Sequence, residues 1–129
     1  MADPPRLCIL IVDDHADSLH LLQRILVMQR HEVRACPTAS EALAALQCDG
    51  AVRYDLLICD LALPDGDGHD IMRRAARLGI PGIAVSALAG LKDHARSSAA
   101  GFAEHLDKPF LFDNLAAAID RVACRQLAR

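Results

Sequence analysis

Five times along this chain a short apolar run gives way to a stretch whose apolar residues recur at helical spacing, and that alternation restricts the fold more than any other feature. Strands that alternate with helices pack as a parallel sheet covered on both faces, which is why the runs read as near-continuous apolar segments. The expected strands are residues 7–12, 33–36, 55–59, 80–85 and a fifth ending near Asp107. Between them the helices show their buried stripes: Leu19, Leu22, Ile25 and Leu26; then Ala42, Leu43 and Leu46; then Ile71, Met72, Ala75 and Leu78. A fourth helix is expected over 92–100, and a last one carries Leu115, Ile119 and Val122. Thr38-Ala39-Ser40-Glu41 is a capping-box pattern that opens the second helix, Gly79 and Gly101 stop the third and fourth, and 64–68 reads as a loop. At 129 residues with 53% apolar content, the chain has room for one domain and one core. That domain is expected over 7–125, with 1–6 and 126–129 as flanking tails.

Charge and cysteine usage exclude several classes of function. A net charge of −3 gives no clustered basic face for nucleic acid, and Arg121, Arg125 and Arg129 near the end are too sparse to make one. The five cysteines include no C-x-x-C pair, so neither a disulfide framework nor a thiolate zinc site is indicated. They read as small apolar residues of a reducing cytoplasm. The longest apolar stretch, Leu7–Val12, is far short of the roughly 20 residues of a membrane helix. The histidines show no H-x-x-x-H spacing and read as surface residues.

Four of the five apolar runs close on a group with phosphate or cation chemistry. Asp13 and Asp14 follow the first, Asp60 the third, Ser86 the fourth and Lys108 the fifth. In an open α/β sheet the ligand crevice lies outside the carboxyl ends of the strands, where all five would meet. Like charges a few ångströms apart repel by about 1–4 kcal/mol depending on the local dielectric, so Asp13, Asp14 and Asp60 together ask for a cation. Oxygen ligands in a wet crevice suit Mg²⁺, with Mn²⁺ as a substitute. Asp60, on a separate strand facing the acidic pair, is the carboxylate best placed to attack a phosphoryl group. The phosphoryl oxygens would then be held by the metal, by the Lys108 ammonium and by the Ser86 hydroxyl. Taken singly, the same residues read as a helix cap, a turn former, a loop hydroxyl and a solvated charge. Their joint arrival at strand ends favours the site.

The segments Ile9-Leu10-Ile11-Val12-Asp13-Asp14, Cys59-Asp60 through Gly68, Val85-Ser86-Ala87 and Asp107-Lys108-Pro109-Phe110 resemble the receiver domain of two-component response regulators. The likeness covers nearly the whole chain. It implies a flavodoxin-like (βα)5 doubly wound parallel sheet of strand order 2-1-3-4-5, an arrangement that the chemotaxis receiver also exemplifies. It further implies Asp60 as phosphoacceptor, Asp14 as direct metal ligand, Asp13 as a ligand acting mainly through water, and the Ala62 backbone carbonyl as a third metal contact. Ser86 and Lys108 take the phosphoryl-binding roles, and Lys108-Pro109 is expected to be a cis peptide that aims Lys108 into the site. The implied partners are a sensor histidine kinase or a histidine phosphotransfer domain, with the output made by another protein or domain and dimerisation through the fourth and fifth helices a further option.

The resemblance also marks departures. His105 stands where many members carry Tyr or Phe as a rotating switch residue coupled to Ser86; it is either a pH-sensitive switch or a half-exposed edge-strand histidine. Ala62 and Leu88 occupy the positions that tune phosphoryl lifetime, and neither can hold a hydrolytic water: either dephosphorylation is slow or Leu88 leaves the site open. The stretch Gly101–Pro109 looks most like receivers attached to hybrid histidine kinases.

Other readings fit less well. An aspartate-nucleophile phosphatase needs an acid two residues after its nucleophile, where this chain has Ala62, so the domain is expected to signal and not to act as an enzyme. A flavin module would want phosphate donors where Asp13-Asp14 would repel them. Asp65-Gly66-Asp67-Gly68-His69-Asp70 fails as a calcium loop at its glycine and glutamate positions and reads as a turn. A pseudo-receiver, serving only as an interaction module, is the surviving alternative.

Overall fold

The computed structural model describes residues 6–47, 53–87 and 91–127. Most of the two expected tails, together with Cys48, Leu88 and Arg129, lies outside these residues. The elements run β1 (Cys8–Val12), α1 (Ala16–Met28), β2 (Glu32–Cys36), α2 (Ala39–Gln47), β3 (Leu56–Asp60), β4 (Ala62–Leu63), β5 (Gly66–Asp67), α3 (Gly68–Arg77), β6 (Gly82–Ser86), α4 (Leu91–Ala100), β7 (Glu104–Asp107) and α5 (Phe112–Leu127). Five of the strands form one sheet in the order β2-β1-β3-β6-β7, and every neighbouring pair is parallel. Counted without the short β4–β5 pair, that is the expected 2-1-3-4-5. The addition is a two-residue antiparallel hairpin where a loop was expected, with Ala62 opposite Asp67 and Leu63 opposite Gly66. Strands this short leave no periodicity to read.

The sheet is the middle of three layers, and its pleat sorts the core in two. Leu10, Val12, Leu57, Cys59 and Ala84 face the α2–α3 side, packed with Ala42, Ile71, Met72 and Phe102. Ile9, Ile11, Ile58, Ile83 and Val85 face the other side, packed with Leu19, Leu26, Leu115 and Ile119 from α1 and α5. Because β3 and β6 are covered on both faces, every residue in each is buried. The edge strand β2 alternates instead, with Glu32 and Arg34 turned to solvent.

Helix ends follow local chemistry, supplemented by contacts distant in sequence. Thr38 Oγ1 accepts from the Glu41 N–H at 3.1 Å, the forward half of the expected capping box. Asp65 adds a second cap to the same helix, accepting from the Ala39 and Ser40 N–H groups at 2.8 and 3.1 Å. Those donors hold the Asp65 carboxyl below its ordinary value. Asp67 caps α3 by accepting from the His69 N–H at 2.8 Å. Two of the three carboxylates of the calcium-loop lookalike, Asp65 and Asp67, therefore serve as helix caps. Gly79 and Gly101 adopt the positive φ expected of residues that end helices.

Two expectations about residue classes need correction. Cys36 and Cys59 are buried, but Cys124 is exposed on α5. His69 is 6% exposed, and the His105 side chain is 5% exposed, so neither is a surface histidine. An imidazole is apolar enough to fill the space beneath α4 when one ring nitrogen has a partner.

Candidate functional site

The side-chain period of two explains which groups meet at the carboxyl edge. Asp13 continues the row Ile9–Ile11, Asp60 continues the row Leu56–Ile58, and Lys108 follows Leu106 by two, all on the α1–α5 side of the sheet. Lys108 Nζ accordingly donates to Asp13 Oδ2 at 3.0 Å and to Asp60 Oδ2 at 2.9 Å. Both carboxylates are nearly buried, with side chains 6% and 7% exposed. Such a position is tenable for anions only with a cation beside them. The Lys108–Pro109 peptide is cis.

The remaining carboxylate oxygens are also engaged. Asp13 Oδ1 accepts from the His15 N–H at 2.9 Å, and Asp60 Oδ1 accepts from the Ala62 N–H at 3.0 Å. Burial alone would lower the Lys108 pKa, but the hydrogen bonds this lysine donates to Asp60 and Asp13, together with their charges, outweigh it, leaving the ammonium above its ordinary value. Burial, reinforced by the Asp60 and Asp13 charges, pushes the neighbouring Cys59 thiol well up. Cys59 is thus a neutral packing residue beside the acidic crevice.

Asp14 and His15 complete the cluster at the rim. His15 Nδ1 lies 3.4 Å from Asp13 Oδ1 and 3.4 Å from Asp14 Oδ1. One donor atom from each of Asp13, Asp14, His15 and Asp60 falls within 4.8 Å of the others. Three carboxylates and one lysine leave an excess of negative charge, and hard oxygen donors at that spacing fit a small divalent cation. His15 was not among the expected site residues, although it directly follows the acidic pair.

Ser86 ends β6 on the opposite parity, continuing the row of Ala84, and is 1% exposed. Its carbonyl accepts from the Lys108 N–H at 2.7 Å, which ties the end of β6 to the residue that reaches the carboxylates. Ala62 sits in the small hairpin with its N–H turned to Asp60. His105 does not join this group. Its Nδ1 lies 2.8 Å from Ser97 Oγ of α4, and its ring stacks on His94.

Gly68 controls how closely α3 approaches β3. A Cβ at this position would lie 2.5 Å from the Asp60 carbonyl oxygen and 2.9 Å from Leu61 Cα, both backbone atoms. Gly68→Ala is therefore expected to lower stability by about 1–3 kcal/mol through overpacking, read as a lower urea midpoint.

A five-stranded parallel sheet covered on both faces, with buried carboxylates from two strands joined by a lysine from beyond a third, defines a flavodoxin-like α/β domain with an acidic crevice at its carboxyl edge. The profile of the family described as the response regulator receiver domain matches residues 9–120, and the chain belongs to that family. It is 34% identical over 105 residues to an uncharacterised 14.6 kDa protein of Leptolyngbya boryana, covering 78% of each chain. It is 33% identical over 119 residues to the two-component response regulator PhoP of Pseudomonas aeruginosa, covering 91% of this chain and 52% of that one. The chain thus spans about half the length of the named response regulators it matches. Among solved structures, a CheY-like receiver domain protein from Methanospirillum hungatei superposes with a TM-score of 0.84 at 28% identity, over 97% of this chain and 100% of that one. The non-phosphorylated HemR receiver domain from Leptospira biflexa gives 0.79 at 30% identity, over 92% and 94%. Among the described residues no helix is long and apolar enough to cross a membrane.

Proposed function

We propose that this receiver domain takes a phosphoryl group from a phosphohistidine onto Asp60 in a Mg²⁺-dependent reaction, with a sensor histidine kinase or a histidine phosphotransfer domain as donor. The observation that carries this reading is the Lys108 ammonium bridging two buried carboxylates from separate strands. Asp13, Asp14, Asp60 and the Ala62 carbonyl would hold the ion, with Mn²⁺ as a substitute. When bound, it supplies positive charge to the phosphoryl oxygens.

The geometry supports the following roles for the protein's own residues. An Asp60 carboxylate oxygen attacks phosphorus, the bond to the donor nitrogen breaks, and the departing imidazole keeps that electron pair and takes a proton from solvent. Lys108 needs little movement to transfer one of its hydrogen bonds from Asp60 to a phosphoryl oxygen. Ser86, at the end of the adjacent strand, would offer a hydroxyl to another, and its attachment to the Lys108 backbone would pass the change on to β7. The output belongs to a partner or to a further domain.

The test is intact-mass spectrometry after incubation with acetyl phosphate, with and without Mg²⁺, on the wild type and Asp60→Ala. One added phosphoryl group that requires both Mg²⁺ and Asp60 is the expected result. Absence of any gain, both with acetyl phosphate and with a phosphorylated histidine phosphotransfer domain, would overturn it in favour of the pseudo-receiver.

A further inference from the structure

Three side chains on the α4–β7 face meet outside the acidic crevice. His94 of α4 and His105 of β7 stack with ring centroids 3.9 Å apart and planes 7° from parallel. His94 Nε2 lies 2.9 Å from Asp107 Oδ1, and His105 Nε2 lies 3.5 Å from the same oxygen. One donor atom from each of the three residues falls within 4.8 Å of the other two.

Ser97 decides which nitrogen of His105 carries hydrogen. Its hydroxyl donates to the His94 carbonyl at 3.0 Å, which uses its one hydrogen. With the hydroxyl donating to that carbonyl, the same oxygen, 2.8 Å from His105 Nδ1, acts there as acceptor, which assigns the hydrogen of the neutral ring to Nδ1. In the neutral ring Nε2 is then a bare lone pair. Burial, followed by the nearby His94, lowers the His105 pKa against the opposing pull of Asp107 and Asp93, which favours that neutral ring. His105 Nε2 is buried with no hydrogen-bond partner, and it faces a carboxylate oxygen. Two acceptors turned toward each other call for a cation between them.

The geometry points to a second cation site, formed by His94 Nε2, His105 Nε2 and Asp107, that takes a borderline transition-metal ion such as Zn²⁺ in preference to Mg²⁺. Imidazole nitrogens select zinc, copper and nickel, whereas the oxygen donors of the acidic crevice suit magnesium. Ligands about 2.0–2.2 Å from one tetrahedral ion lie roughly 3.3–3.6 Å apart, close to the His105–Asp107 separation. The Ser97 contact to His105 Nδ1 is the outer-shell hydrogen bond that metal-binding histidines ordinarily make. His94 must tilt out of its parallel stack for both lone pairs to converge. Its side chain is 42% exposed and Asp107 is 44% exposed, which gives the ring room and the ion a path from solvent. Three protein ligands leave a position for water, and the bound ion would join α4 to β7.

The test is calorimetric titration with Zn²⁺ in excess Mg²⁺, which occupies the acidic crevice, using the full chain, His94→Gln, Asp107→Asn and Ser97→Ala. His94 and Asp107 are exposed, so their variants are expected to fold, and circular dichroism checks that they do. The expected result is one Zn²⁺ equivalent in the wild type, lost in His94→Gln and Asp107→Asn. In Ser97→Ala it is weakened by about 10–100-fold, as removal of an outer-shell partner ordinarily does. The same Zn²⁺ should raise the melting temperature of the wild type and not that of His94→Gln. Absence of Zn²⁺ binding by the wild type overturns the proposal, as does equal binding by the wild type and His94→Gln, which would place the ion on Cys124 or in the acidic crevice.

Discussion

Lys108→Met is expected to unfold at a lower urea concentration than the wild type in metal-free buffer, with a loss of about 2–3 kcal/mol. Removing one member of a fully buried ion pair costs about 3–5 kcal/mol, because the partner is left as an uncompensated buried charge. Here two partners are left, Asp13 and Asp60, with side chains 6% and 7% exposed. The Lys108 side chain keeps 23% exposure, so water screens part of the interaction and the lower figure applies. Methionine preserves most of the aliphatic stem, which separates the loss of charge from the loss of packing. If the midpoint is unchanged, the ammonium is not what makes the two carboxylates tenable.

Two controls follow from the same electrostatics. Excess Mg²⁺ should recover part of the deficit, since a cation held by Asp13 and Asp60 offsets the same charge and stabilises the native state by mass action. On the proposed mechanism, acetyl phosphate should nonetheless label the variant more slowly, because the charge assigned there to steadying the transferring group is missing. In the wild type, Asp60 and Asp13 raise the Lys108 pKa in the folded state against the effect of burial. A raised folded-state value gives stability that is complete below the ordinary lysine pKa of about 10.4 and is lost as pH rises through the folded value. The Lys108 contribution should therefore be flat across neutral pH and fall away only in strong alkali.

The main sheet and the acidic crevice were legible because both follow from one-dimensional periodicity. Apolar runs fixed the strands to within a residue or two, and a functional group at the end of such a run lies at the carboxyl edge in any parallel sheet. The further step, which of those groups touch, needs the period of two within each strand. Asp13, Asp60 and Lys108 share one side of the pleat, while Ser86 takes the other. What was illegible is what depends on chain segments folding back. Asp65 caps α2 across an interval of 26 residues, and no local pattern announces it. His94, Ser97 and His105 come together because α4 lies over β7, so none of them carries a spacing motif. The general rule that histidines sit at surfaces therefore failed for His105, whose environment is supplied by a helix eleven residues or fewer upstream.

Ile58→Ala is expected to cost about 4 kcal/mol, near the upper part of the 2–5 kcal/mol range for shortening a buried aliphatic side chain. The cost depends on how far the surroundings can collapse into the space that is left. Ile58 is 1% exposed on the central strand β3 and lies between Ile11 of β1 and Ile83 of β6, its register partners on either side. Both neighbours are fixed by parallel ladders, and both are 0% exposed, so neither can move inward without breaking the sheet. Leu57 offers a contrast on the other face of the same strand. It packs in a cluster that includes Met72, whose unbranched side chain can enter a void, so Leu57→Ala should fall lower in the same range. Urea unfolding of both variants tests the ordering, with m-values unchanged if the denatured state is unaffected. The effect also reaches the crevice. Ile58 stands two residues before Asp60 in the same row, so its removal opens a void beneath that carboxylate, and against a total stability of about 5–15 kcal/mol it leaves less margin for the burial of two carboxylates. Mg²⁺ should then raise the midpoint of Ile58→Ala by less than it raises that of Leu57→Ala, because the carboxylates that would hold the ion are no longer fixed from below. Equal shifts in the two variants would show that the lysine and the strand ends position the crevice without help from the core.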